Sequence, residues 1–426
     1  MSASGTQPAE GPLTAEEQQF LEQAGIFRGT PSGIELPVYQ ESVAALEFMG
    51  FAQATAEEIY QRWESRPEHY PYSFLDHAAG QFQSRSQGDL SHAEFMAKVG
   101  LKQEFQEAIL DPRFASIFET ETLKVWIQDT LASRYQTIGY LQQRCRNMAS
   151  RGGGSKGHQK KESRPSLPTD LSVFDRGQGG PSNVPAQDPN EGDVMSMSSI
   201  AKDLEFPEDN VRIGPPAPAL DDHDVLYKGC SAHTAENTPS LIGPDGSIDL
   251  TSLDTLPGGD FNARKLASYW TPEEATAELY RVYAARRDAY AETWIISIQV
   301  PKDLVVATLP LRKTSLWYSD DWKEYVWLCR KKSAQLPGKF DELSNAQFIQ
   351  GHICCKLPQM IASIKPDNVQ TTINEDFSLL YKDTSGQSAR STQWVLIGDD
   401  TMVQLSKAVR GKLHIDIHAS SMHEAK

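Results

Sequence analysis

The residue spacing most suited to holding a metal ion is His414-Ile-Asp416-Ile-His418. On a strand, residues i, i+2 and i+4 share a face, so two imidazoles and a carboxylate would converge there. The same alternation describes an amphipathic edge strand, with Leu413, Ile415 and Ile417 inward and the polar row in water. The edge-strand reading is adopted, because a metal site also needs partners that fix its ligands. Asp221-Asp-His-Asp224 reads as a solvated loop. The adjacent Cys354 and Cys355 would point to opposite faces of a strand, which suits core packing better than redox chemistry. The chain has no P-loop, no GxGxxG after a strand, no HExxH and no GxSxG. The common phosphate-binding, dinucleotide-binding, zinc-protease and serine-hydrolase patterns therefore fail.

Three segments are more specific when taken together. Asp224-Val-Leu-Tyr-Lys-Gly229 is a short apolar strand ending in Tyr-Lys-Gly. Ala267-Ser-Tyr-Trp-Thr-Pro-Glu-Glu-Ala275 leads into a helix, and Ala346-Gln-Phe-Ile-Gln-Gly-His-Ile353 is a further strand. Their order resembles the ADP-ribosyltransferase fold, with its nearest likeness in a branch abundant in fungi. The stretches that carry the resemblance are Leu226-Tyr-Lys-Gly229, Ser268-Tyr-Trp-Thr271, Trp322-Lys-Glu-Tyr-Val-Trp327 with Arg330, and Gln347-Phe-Ile-Gln-Gly351. It covers about residues 221–410.

The resemblance implies a split-sheet α+β domain that takes NAD as its substrate. Transfer of ADP-ribose passes through a cation-like sugar centre, so the site must grip the nicotinamide ribose and place a carboxylate against the developing charge. By the resemblance, Tyr227, Lys228, Gly229, Tyr269 and Thr271 bind the dinucleotide, while Gln347 and Gln350 stand where a catalytic carboxylate is wanted. Lys228 keeps the charge of the family's His or Arg but not its planar geometry. An amide can hydrogen-bond a ribose hydroxyl but cannot act as a base. Thr271-Pro-Glu-Glu274 also reads as a helix-capping box, with proline at the first helical position. Tyr227 and Tyr269 also read as core aromatics, Lys228 as a solvated strand-end charge and Gly351 as a bulge.

These residues need elements to hold them. Thr293 to Val300 alternates as a strand, with Trp294, Ile296, Ile298 and Val300 on one face. Ala346 to Cys355, Gln393 to Ile397 and Leu413 to Ile417 are further strands. Helices are expected over Pro272 to Tyr290, Asp320 to Lys332 and Thr401 to Val409. The second of these carries the stripe Trp322, Tyr325, Val326 and Cys329. The N-terminal half reads as all-α. Capping boxes stand at Thr14-Ala-Glu-Glu17 and Thr55-Ala-Glu-Glu58, and helices at Leu13–Ala24, Val43–Phe48, Phe95–Ile109 and Leu123–Leu141. In the last helix Val125, Ile127, Leu131, Tyr135 and Ile138 form the inner face. Met49-Gly-Phe51 resembles the loop of ubiquitin-associated domains, and equally reads as a glycine ending a helix, with Phe51 plugging the core; the second reading is adopted. No internal repeat is evident.

The chain has 426 residues, only 39% of them hydrophobic, with a net charge of −16. The shortfall lies in 151–220, where 70 residues hold 9 Gly, 9 Pro and 8 Ser and no Trp or Tyr, the composition of a disordered linker. The expected organisation is multidomain, with a helical domain over 12–150, the linker over 151–220 and the α+β domain over 221–420. Residues 1–150 carry 20 acidic and 11 basic side chains and residues 211–426 carry 27 and 23, so the acidity lies mainly in the helical half. That charge disfavours nucleic acid and anionic membranes, while the nearly balanced half tolerates an anionic dinucleotide. Five cysteines without CxxC spacing, no signal peptide and no long apolar run point to an intracellular, cytoplasmic protein. Three functions fit: an NAD-dependent transferase, the same fold without catalysis acting as a binding module, and an interaction protein whose helical half meets an unknown protein partner.

Overall fold

In the computed structural model, which describes residues 36–152, 211–213, 218–232, 248–302, 304 and 313–418, two glycines organise the helical part. Its helices are α1 (Val43–Met49), α2 (Gln53–Glu64), α3 (Phe74–Gln83), α4 (His92–Lys98), α5 (Gln103–Ile109) and the 30-residue α6 (Leu123–Gly152). Gly50 ends α1 with φ 124°, and Gly100 follows α4 with φ 81°. Both dihedrals lie where a side chain would be strained. The two helix-Gly-helix turns face each other, with the Phe51–Leu101 bridge closed by Ala52 N–H to the Gly100 carbonyl and Lys102 N–H to the Gly50 carbonyl, each 2.8 Å. Phe51 and Leu101 plug the core from this bridge. The pair is a structural repeat that the two sequences scarcely betray.

Several helical expectations are corrected. Phe95–Ile109 is two helices, because Gly100 turns the chain. Thr55-Ala-Glu-Glu58 caps nothing, since α2 already starts at Gln53 behind Ala52. The capping boxes that form are Ser73 with Asp76 and Ser91 with Glu94. On α6, Ile127, Leu131 and Ile138 are buried as expected, but Val125 is 41% exposed. The Leu13–Ala24 helix and its Thr14 box lie outside the described residues.

The C-terminal part mixes sheets and helices. Its strands are β1 (Val211–Ile213), β2 (His223–Ser231), β3 (Asp254–Thr255), β4 (Ala267–Trp270), β5 (Thr293–Pro301), β6 (Lys313–Leu316), β7 (Phe348–His352), β8 (Leu380–Lys382), β9 (Ser388–Arg390), β10 (Thr392–Ile397) and β11 (Leu413–His418). Its helices include α7 (Glu274–Arg287), α8 (Asp320–Arg330), α9 (Pro358–Ser363) and α10 (Asp399–Ala408). One sheet runs β1-β11-β5-β2, the second β3-β4-β10-β7-β6, and β8 pairs with β9. Leu226, Trp294, Ile296 and Ile298 of the first sheet meet Trp270, Phe348 and Trp394 of the second in one core. The stripe of α8 packs on the second sheet's other face.

The expected edge strand at Leu413–Ile417 is interior, because β1 pairs with it in parallel. His414 is buried beside Ser297, and His418 pairs with Asp416 at 3.1 Å. Among the described residues no cluster of three metal-ligating side chains occurs. Of the expected linker, residues 151–152 end α6 and 211–213 form β1, while 153–210 lie outside the described residues. Strand β7 stops at His352, and Cys354 and Cys355 beyond it are buried in two different cores. Among the described residues no helix is long and apolar enough to cross a membrane.

The helical and C-terminal parts share a core, in which Tyr283, Ile353, Cys355 and Leu379 pack with the helical residues. Polar groups reinforce the seam. Tyr283 donates to the Ile109 carbonyl at 2.8 Å, Arg286 meets Asp111 at 2.7 Å, and Ser133 and Thr137 both donate to the buried Asp288.

Candidate functional site

Strands β2 and β4 belong to different sheets and meet only just past the end of β4. They are joined at one bridge, where Tyr227 N–H donates to the Thr271 carbonyl at 2.7 Å and Thr271 N–H returns to Tyr227 at 3.0 Å. Past it a cleft of about 810 Å³ opens, floored by both strands and walled by the start of α6. That volume suits an organic ligand. Tyr227, Lys228, Gly229, Tyr269 and Thr271 all line it.

Their individual roles differ. Lys228 Nζ spans the split to donate to the Tyr269 carbonyl at 3.1 Å, and burial pushes its ammonium below the usual lysine range. Gly229 is needed for space, since a Cβ there would collide with the Ala277 carbonyl of α7. The Tyr269 hydroxyl donates to Asn262 at 2.7 Å and so ties down the loop carrying Gly258, Gly259 and Asp260. The expected capping box at Thr271 does not form, because α7 starts at Glu274. Instead Thr271 donates to Glu273, whose carboxylate accepts from the Thr392 backbone and hydroxyl. Burial pushes the Cys230 thiol up to about 12, which removes it as a nucleophile near neutral pH.

Gln347 and Gln350 do not line the cleft. Gln350 pairs with Trp394, and Gln393, one residue before Trp394, pairs with Gly351. Successive side chains alternate, so Gln350 faces the inter-sheet core side and Gln393 faces the cleft side with Tyr269. Gln347 lies on the cleft side's parity but about 13 Å down the strand from Gly351.

Further residues around the cleft sit on loops, on α7, α8 and β10, and on the helical part. Asp260 is 2% exposed and holds Arg330 at 2.8 Å, the Cys354 N–H at 2.8 Å and the Gln393 amide at 2.9 Å. Arg330 also donates to the Thr120 carbonyl at 2.8 Å. Burial opposes its charge, but Asp260 and Glu121 more than offset this and hold its pKa above the usual arginine range. Arg287 meets Asp129 at 2.5 Å and lies 4.7 Å from the Trp126 and Tyr283 ring centres. Its Nε is buried without a hydrogen-bond partner. Lys332 lines the cleft from a left-handed backbone, φ 54°. One signal was available: Arg330 lies four residues beyond Val326 on the buried stripe of α8, where an arginine requires a carboxylate. Glu121, Asp129 and Gln393 carry no such local mark. In comparison with known proteins, no family model, no curated protein and no solved structure matches this chain.

Proposed function

We propose that the cleft binds NAD or an ADP-ribosyl group, and that the parted sheets are a split sheet of the ADP-ribosyltransferase kind. The carrying observation is that five residues from two separate sequence segments, Tyr227, Lys228, Gly229, Tyr269 and Thr271, line one cleft at the point where β2 and β4 meet. The groups around it suit a dinucleotide. Lys228 and Lys332 offer cationic heads for a diphosphate, and the partnerless Arg287 Nε offers a buried donor. Trp126 and Tyr280 offer ring faces. Lys332 takes its left-handed backbone as the residue that closes α8, with its N–H on the Cys329 carbonyl and the Ser333 N–H on the Leu328 carbonyl.

The test is isothermal titration of the full chain with NAD, because the helical part forms one wall. Binding is expected in the micromolar to millimolar range, with Lys228→Met weakening it about tenfold, or about 1.4 kcal/mol. An undetectable interaction at millimolar NAD would remove this reading.

A further inference from the structure

We propose that Lys228 is a nucleophilic amine, and that it forms a Schiff base with the aldehyde end of an ADP-ribosyl ligand held in the cleft. This rests on the ADP-ribosyl reading above and deepens it, because it names the chemistry at the reacting end of the ligand. The cations of the cleft are not equivalent. Arg330 is spent on Asp260 and the Thr120 carbonyl. Arg287 is committed to Asp129 and Thr130, and a guanidinium is no nucleophile. Lys332 lies on an exposed turn at the end of α8. Lys228 is different. It comes from the interior of β2, and its Nζ has one partner, the Tyr269 carbonyl at 3.1 Å. Among the described residues no carboxylate pairs with it. A carbonyl oxygen accepts from an amine and an ammonium alike, so this bond places the nitrogen without demanding its charge.

The free amine is the reactive form, and burial favours it. The titratable groups around it are Cys230 on its own strand, Asp129 of α6 and Asp254 of β3, whose charges oppose burial without offsetting it. The ligand supplies the carbonyl. The terminal ribose of ADP-ribose opens to an aldehyde at C1′, which NAD, with nicotinamide on that carbon, does not present. The Nζ lone pair bonds to C1′, nitrogen gives up one proton, and the carbonyl oxygen takes one up. Nitrogen then loses its second proton, the hydroxyl leaves as water, and a C=N bond remains. No oxidant or reductant is consumed. The loss of water needs an acid. Asp254 lines the same cleft, and burial, Asp399 and Asp249 raise its carboxyl above the usual range, so it can donate to the departing hydroxyl. With Lys228 bonded to the sugar, the diphosphate is left to Lys332 and the Arg287 Nε.

The test incubates the full chain with ADP-ribose and sodium cyanoborohydride, which reduces an imine to a stable secondary amine, and locates the adduct by peptide mass spectrometry. Wild type is expected to carry one ADP-ribosyl adduct, on Lys228. Lys228→Arg keeps the positive charge and should lose the adduct while still binding NAD in isothermal titration. If that variant does not fold, the position of the wild-type adduct carries the test alone. Ribose 5-phosphate presents the same aldehyde without the adenosine, and at equal concentration it should label Lys228 less. Equal labelling by the two sugars overturns the ADP-ribosyl assignment. Labelling of Lys228 should rise with pH before the ordinary lysine value of about 10.4 is reached, and a rise only at that value overturns the role given to the amine. Adducts spread over surface lysines overturn the proposal, as does ADP-ribose that binds without an adduct; both leave the binding reading standing. No binding of NAD or ADP-ribose removes both.

Discussion

Lys228 is a buried amine that lines the cleft proposed to take a dinucleotide. Its folded pKa is depressed by burial, so the ammonium is lost as pH rises before the ordinary lysine value of about 10.4. Affinity for NAD is therefore expected to fall as pH is raised toward that value, and Lys228→Met is expected to flatten the dependence; titrations across alkaline pH check both. Gly229 makes a different demand. Its Cα hydrogen touches the backbone of α7, so Gly229→Ala must push the helix off the strand. A loss of about 3 kcal/mol or more is expected in denaturant unfolding, with no polar group altered. At this scale the sequence was partly legible. Tyr-Lys-Gly and Ser-Tyr-Trp-Thr carried six of the cleft residues, because each pattern is local to one strand. Gln350 was misplaced by one step of strand parity, which only the register of β7 against β10 decides. Glu121, Arg287 and Gln393 meet only through tertiary packing, and no spacing within one segment records that.

Elements were legible where a period repeats. The alternation over Thr293–Val300 matches β5, and the stripe of α8 matches its buried side. Capping was less so: Thr55 and Thr271 had the right neighbours, yet α2 and α7 start elsewhere, while Ser73 and Ser91 close real boxes. A cap needs the helix to begin there, and packing decides where it begins. Gly100 was read as part of a helix because apolar spacing continues across it. Its φ of 81° is fixed by the paired turn with Gly50. Gly100→Ala is expected to destabilise the helical part by about 1–2 kcal/mol through the left-handed backbone alone, and more through the collision with Thr55; thermal unfolding of the variant reads the sum.

At the scale of the whole molecule, arginines join the two parts. Arg330 ties Asp260 to the Thr120 carbonyl, and its removal leaves Asp260 buried without its cation. Arg330→Met is expected to cost about 3–5 kcal/mol and to disturb the cleft, measurable as a lower melting temperature with weaker NAD binding. Asp111 is buried between Arg113 and Arg286, whose hydrogen bonds hold its carboxyl well below the usual range. Its stabilisation is complete above the unfolded value of about 3.9 and fades as pH falls below it. Asp111→Asn should therefore melt lower than wild type at neutral pH, with the gap closing in acid.

The shared core has a consequence for how the chain is held together. Tyr283, Ile353 and Leu379 bury themselves among the helical residues without help from the peptide bonds between 152 and 211. Complementarity of the two buried surfaces, rather than the connection between them, then decides how the parts fit. A cut made there would leave a two-chain protein with its cleft intact. Residues 36–152 and 211–418 made as separate polypeptides should then find one another, and the helical wall and the strand floor of the cleft would meet as they do in the single chain.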